Sequence, residues 1–153
     1  MGVFETKLAE MGITLPEAPA PAANYVPYVK VGDMVYVSGQ IPSGPDGLII
    51  GKLGDTMDVE SGAEAAKACA IALLAQVKAA CDGDLDRLVK VVKLTGFVNS
   101  TLEFTEQPQV INGASNLFGD ALGEVGQHAR AAVSAPSLPF GVAVEIDGVF
   151  QVK

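Results

Sequence analysis

One short stretch near the end of the chain, His128-Ala129-Arg130-Ala131-Ala132-Val133, sets an arginine among small apolar residues in a run that reads as a β-strand. A cation taken out of water alone is costly, so Arg130 calls for an acidic partner or an anionic ligand. Its planar guanidinium offers parallel N–H donors that fit a carboxylate two at a time. Fifteen residues later, in the next apolar run, stands Glu145. From the residues alone, Glu145 can close a structural ion pair with Arg130, or Arg130 can be kept for a ligand. His128 is the sole histidine, and period-two alternation puts its side chain on the strand face of Arg130, where it can line the same site.

Other chemistries find less support. One histidine leaves a single base for any serine or threonine nucleophile, a thin basis for a hydroxyl triad. Gly44, Gly47, Gly51 and Gly54 match neither nucleotide-loop spacing and read as turns. Cys69 and Cys81 fall in one helical stretch, where twelve residues span roughly 18 Å, so they cannot bridge each other. Without a Cys-x-x-Cys pair a metal site is not expected, and both cysteines read as buried thiols. Eighteen acidic residues against ten basic give a formal charge of −8, which repels nucleic-acid phosphates and anionic lipid. No window reaches the roughly 18 apolar residues of a membrane span, and Met1 to Gly12 carries Glu5, Lys7 and Glu10 where a signal peptide would be apolar. A cytoplasmic protein with neither nucleic-acid nor membrane partners is the expectation.

The elements that must position Arg130 follow from pattern. Length and an apolar content of 49% suit one domain over residues 1–153, with 1–24 forming an N-terminal helix and a Pro/Ala arm. The helix is predicted over Val3 to Met11 and the arm over Pro16 to Ala23. Strands at Val26 to Val31 and Met34 to Ser38 flank a Gly32-Asp33 turn, and a glycine-rich loop follows, with a short strand at Leu48 to Ile50. A long helix runs from a Ser61/Glu64 capping box to near Gly83. A strand over Leu88 to Val98, a helix over Phe104 to Leu122 capped by Gly123, and strands at Ala129 to Ser134 and Val142 to Val152 complete the chain. This is an α+β layer with helices over one face of a sheet. The other face is also apolar, as Val142, Val144 and Ile146 alternate with Ala143, so self-association is expected to cover it.

Two blocks of sequence carry a resemblance. Gly32-Asp-Met-Val-Tyr-Val-Ser-Gly-Gln-Ile-Pro42 resembles the Gly-Asn-(apolar)-Ser-Gly-Gln-(apolar)-Pro signature of the RidA/YjgF family of reactive-intermediate deaminases. Arg130, then Leu138-Pro139, then Val144-Glu145-Ile146 match that family's Arg…Leu-Pro…Glu spacing without a gap, and Phe97-Val98 and Val110-Ile-Asn112 fall at its middle strand and second helix. The resemblance spans Tyr25 to Phe150. It implies a Bacillus chorismate-mutase-like fold, a mixed sheet with two main helices on one face, and a homotrimer with three clefts between subunits.

It also implies cofactor-free hydrolysis of enamine or imine acids, such as 2-aminoacrylate, to 2-oxo acids and ammonia. The family's pocket positions fall on Tyr25, Ser38, Gly39, Asn112, Arg130 and Glu145. There Arg130 would grip the substrate carboxylate, Glu145 would handle the proton, and Tyr25, Ser38 and Gly39 would shape the approach. This chain departs from the family in having Ala132 where its deaminases carry a cysteine, and in a longer N-terminus, glycine loop and second-helix region. Two other readings stand beside the deaminase: a module that binds a small carboxylate such as a 2-oxo acid without turnover, and the endoribonuclease activity found in some family names. The acidic charge opposes the last.

Overall fold

The chain orders its elements as α1 (Val3–Glu10), β1 (Tyr28–Val31), β2 (Met34–Gln40), β3 (Ser43–Gly44), β4 (Gly47–Leu48), α2 (Val59–Ala80), β5 (Leu88–Asn99), α3 (Gln107–Leu122), β6 (Ala129–Ala135) and β7 (Val144–Val152). The computed structural model describes residues 1–21 and 23–153, and Ala22 of the predicted arm lies outside them. Five strands form one mixed sheet in the order β1-β2-β7-β5-β6. β5 and β6 are parallel, joined across α3, and the other neighbours run antiparallel. Gly32-Asp33 makes the predicted two-residue turn, with Gly32 at φ +60°, a conformation that costs glycine little.

Several boundaries differ from the sequence reading, three of them for local reasons. The long helix starts at Val59, before Ser61, because the Asp58 carboxylate takes the Ser61 N–H at 2.8 Å and serves as N-cap. α3 starts at Gln107, after Phe104, since Pro108 suits a first helical turn and disfavours helix before it. The strand expected at Leu48 to Ile50 is the minute β3–β4 hairpin, while Ile50 makes a lone bridge to Val142.

The core lies between the sheet and the two long helices. Val35 and Val37 of β2, Ile146 and Phe150 of β7, and Leu94 and Val98 of β5 pack beneath Leu73 and Val77 of α2 and Ile111 and Phe118 of α3. Each such side chain contributes about 1.5–3 kcal/mol by leaving water. α2 and α3 meet so closely that a Cβ at Gly113 would overlap the Ala63 carbonyl. The opposite face of the sheet bears Val29, Tyr36 and Val133, each about half exposed. α1 is tied down at its start, where the Asp86 carboxylate accepts the N–H groups of Val3 and Phe4. Buried Gln76 of α2 holds the arm, donating Nε2–H to the Pro19 carbonyl at 2.6 Å. Both cysteines are buried and unbridged, and among the described residues no helix is long and apolar enough to cross a membrane.

Candidate functional site

All but one of the residues singled out by sequence gather in two places. The first is a cavity of ≈ 690 Å³ between the arm, the end of β2 and α2, lined by Tyr25, Ser38, Gly39 and Glu145 among others. β1 pairs with β2 only up to Val37, and the β2–β7 register shifts between Val37 and Gln40. That bulge brings Gly39 against Glu145: a Cβ at position 39 would sit 2.6 Å from Oε2, so the carboxylate occupies the space that glycine leaves. Ser38 fastens the segment beside Tyr25, donating Oγ–H to the Val26 carbonyl at 2.9 Å and its backbone N–H to Pro27 at 2.9 Å. Burial, and after it the negative charge of Asp147 two residues on, push the Glu145 carboxyl above its usual range. Among the described residues the charged groups that line this cavity are Glu17 and Glu145, both acidic.

The second place is where β6 passes α3. Arg130 donates from Nη1 to Ser115 Oγ at 3.1 Å and from Nη2 to the Pro108 carbonyl at 3.2 Å. His128 lies on the same hydroxyl. Its Nδ1 is 2.6 Å from the Gly126 carbonyl, which can only accept, so Nδ1 carries the proton. Nε2 then accepts the Ser115 O–H at 2.8 Å while the ring sits edge-on to Phe118. Burial dominates in lowering the His128 pKa; the Arg130 and Lys90 charges act the same way and the Gly126 hydrogen bond acts against them. The imidazole is therefore neutral at pH 7.

Strand register overturns the ion pair considered between Arg130 and Glu145. Arg130 stands opposite Leu94 of β5, and Leu94 opposite Gly148 of β7, three residues from Glu145. An odd offset means opposite faces of the sheet. β5 also separates the two strands, placing the residues about 10 Å apart across the sheet and about 10 Å along it. Asn112, exposed on α3 between Pro108 and Ser115 at helical spacing, lines a shallow groove with Glu64 and Lys67 and is not brought to the cavity. Ala132 shares the strand face of Arg130, opposite Gly96. Ser115, the centre of the second cluster, escaped the sequence reading; its one signal is that it shares a helix stripe with Pro108 and Asn112.

The family model described as "YjgF/chorismate_mutase-like, putative endoribonuclease" matches residues 5–147. The chain is 49% identical over 154 residues to Protein TCP17 of Trypanosoma cruzi, covering 99% of this chain and 96% of that one. A crystal structure of a protein of unknown function from Agrobacterium tumefaciens superposes with a TM-score of 0.92 at 51% identity, covering 99% of this chain and 93% of the other. The structure of E. coli TdcF with bound serine is similar at a TM-score of 0.63 and 26% identity, over 90% and 94% of the two chains.

Proposed function

Since the chain belongs to the RidA/YjgF family, of YjgF/chorismate-mutase-like fold, we propose that it hydrolyses small enamine and imine acids to 2-oxo acids and ammonia, without a cofactor, in clefts between the subunits of a homotrimer. One observation carries the reading. The carboxylate fit for proton transfer lies in a cavity lined by no cation among the described residues, and the arginine fit for a carboxylate lies on the other face of the sheet. Neither half binds and converts an anionic substrate alone, whereas two copies can supply one half each. The half-exposed Val29, Tyr36 and Val133, which share the face away from the helices with Glu145 and Asp147, give association an apolar contribution.

In such a cleft Arg130 keeps three of its five N–H donors beyond those given to Ser115 and Pro108, enough to grip a carboxylate two at a time. The enamine tautomerises to the imine, and Glu145 takes a proton from water as it adds to the C=N carbon. The same carboxyl returns that proton to nitrogen, giving the carbinolamine, and then carries the hydroxyl proton to nitrogen as the C–N bond breaks, so that the C=O of the 2-oxo acid forms and ammonia leaves. A carboxyl raised by burial is better matched to both proton transfers near neutral pH. That TdcF was solved with serine bound, a small molecule bearing a carboxylate, supports the ligand class.

Ala132 favours a second reading, binding of a 2-oxo acid without turnover, because a small apolar side chain stands where the family's deaminases have a thiol. The endoribonuclease of the family description is disfavoured by the charge of −8 and the acidic cavity lining.

Mixing tests the shared site. Arg130→Ala and Glu145→Gln should each abolish ammonia release from freshly generated 2-aminoacrylate. When the two are unfolded together and refolded at equal amounts, random assembly should restore roughly a quarter of the parent rate, because about one cleft in four receives both intact residues. No recovery from trimers shown to be mixed, or a stable monomer in light scattering of the parent, would sink the shared cleft. A trimer that binds 2-oxobutyrate yet never accelerates ammonia release would establish the second reading.

A further inference from the structure

The second cluster uses Ser115 and His128 in a way the reaction above leaves unexplained. Three hydrogen bonds run in a single direction: Arg130 Nη1–H to Ser115 Oγ, the Ser115 O–H to His128 Nε2, and His128 Nδ1–H to the Gly126 carbonyl. The last bond fixes the first two. A carbonyl accepts only, so the imidazole proton belongs on Nδ1, and the bare Nε2 draws in the one hydroxyl proton of Ser115. That turns the hydroxyl lone pairs toward Arg130. With Nη2 held by Pro108, the guanidinium is pinned at two of its three nitrogens to α3.

We infer that Ser115 and His128 are positioning residues that lock the guanidinium plane of Arg130, so that its free N–H edge is preset for a carboxylate. The inference rests on Arg130 being the carboxylate anchor. It gives His128 a role without ligand contact and adds Ser115, which neither the motifs nor the family signature marks. An arginine side chain free in water loses rotamer freedom when it grips a ligand, and pinning it beforehand removes that cost from binding. The dyad also has the spacing of a nucleophile and its base. However, the Ser115 oxygen that would attack is the one that accepts Arg130 Nη1–H, and that cation draws electron density away from it.

Nitrogen-15 NMR of the arginine-labelled protein, without ligand, reads the clamp directly. Rotation about the Cζ–Nη bonds of Arg130 should be slow in the parent, fast in Ser115→Ala and slow again in Ser115→Thr, which keeps the hydroxyl. His128→Phe, which removes the acceptor, should also free it. In parallel, 2-oxobutyrate affinity should weaken roughly tenfold in Ser115→Ala and recover in Ser115→Thr, the scale on which outer-shell partners act elsewhere. Free rotation in the parent overturns the clamp. So does unchanged affinity in Ser115→Ala while Arg130→Lys loses affinity, or covalent capture of Ser115 by a fluorophosphonate, which would make it a nucleophile. If Arg130→Lys binds as well as the parent, the anchor itself has failed, and the slow or fast rotation still decides whether the clamp exists.

Discussion

On the cavity side a carboxylate is held against bare backbone at Gly39 and lifted toward neutrality by burial and by Asp147. On the α3 side a guanidinium is held by a carbonyl and a hydroxyl with a neutral histidine behind it. The first arrangement leaves a group ready to change protonation; the second fixes a group that never does. A substrate that carries both a carboxylate and a reacting nitrogen needs the two together. One sheet presents them on opposite faces, so under the proposed reaction the arrangement that unites them would have to come from association rather than from folding.

That contrast can be broken from either end. The largest effect is expected at Glu145: Glu145→Gln should lower kcat for ammonia release by about two to four decades, as loss of a general acid–base does. Binding of 2-oxobutyrate, measured by calorimetry, should stay within a few-fold of the parent, and a large loss of binding would move Glu145 from proton transfer to anchoring. Arg130→Lys should do the reverse. Charge without the fork should cost roughly one to three decades of carboxylate affinity at an unchanged melting temperature.

A finer test separates Glu145 from its neighbour. As the base, Glu145 must be ionised, so kcat/KM should rise with pH through a limb above the usual carboxylate range. Because Asp147 raises the Glu145 pKa, Asp147→Asn should carry that limb to lower pH. A limb that moves upward, or does not move, would contradict the assignment. The smallest effect concerns His128. Its pKa is lower folded than unfolded, so its contribution to stability is present above the unfolded value of about 6.5 and is lost as pH falls through the folded one. Melting temperatures of the parent should therefore fall more steeply than those of His128→Gln as pH drops from 7 toward the folded pKa; parallel curves would show that the imidazole is not held neutral.

Sequence reached the elements better than their neighbours. Gly32-Asp33 declared its hairpin because two-residue turns demand few residue types. The run Val142 to Val152 declared a strand but read as apolar on both faces, whereas one face of β7 is wholly buried and the other carries Glu145, Asp147 and Gln151. Alternation, however, says which face a residue takes and nothing about which strand lies alongside. That β5 separates β6 from β7 is a fact of topology, and the separation of Arg130 from Glu145 depends on it. The α2 start was missed by two residues because Asp58 and Ser61 are comparable caps in sequence, and the α3 start by three because Pro108 disfavours helix before it. Ser115 was invisible for a different reason: a serine on a half-buried helix face is unremarkable until β6 brings an arginine and a histidine to it.

The contact at Gly113 sets how this chain would respond to random mutation. Pro108 and Ser115, which hold Arg130, belong to the same helix as Gly113, and that helix rests on the Ala63 carbonyl with no room for a methyl group. Alanine there would lift α3 from α2 and carry both ends of the clamp with it. A mutational scan scored on carboxylate binding would thus mark position 113 as sensitive, although Gly113 has no side chain to offer a ligand. The helix behaves as a lever whose fulcrum is a glycine, and affinity is read at its far end.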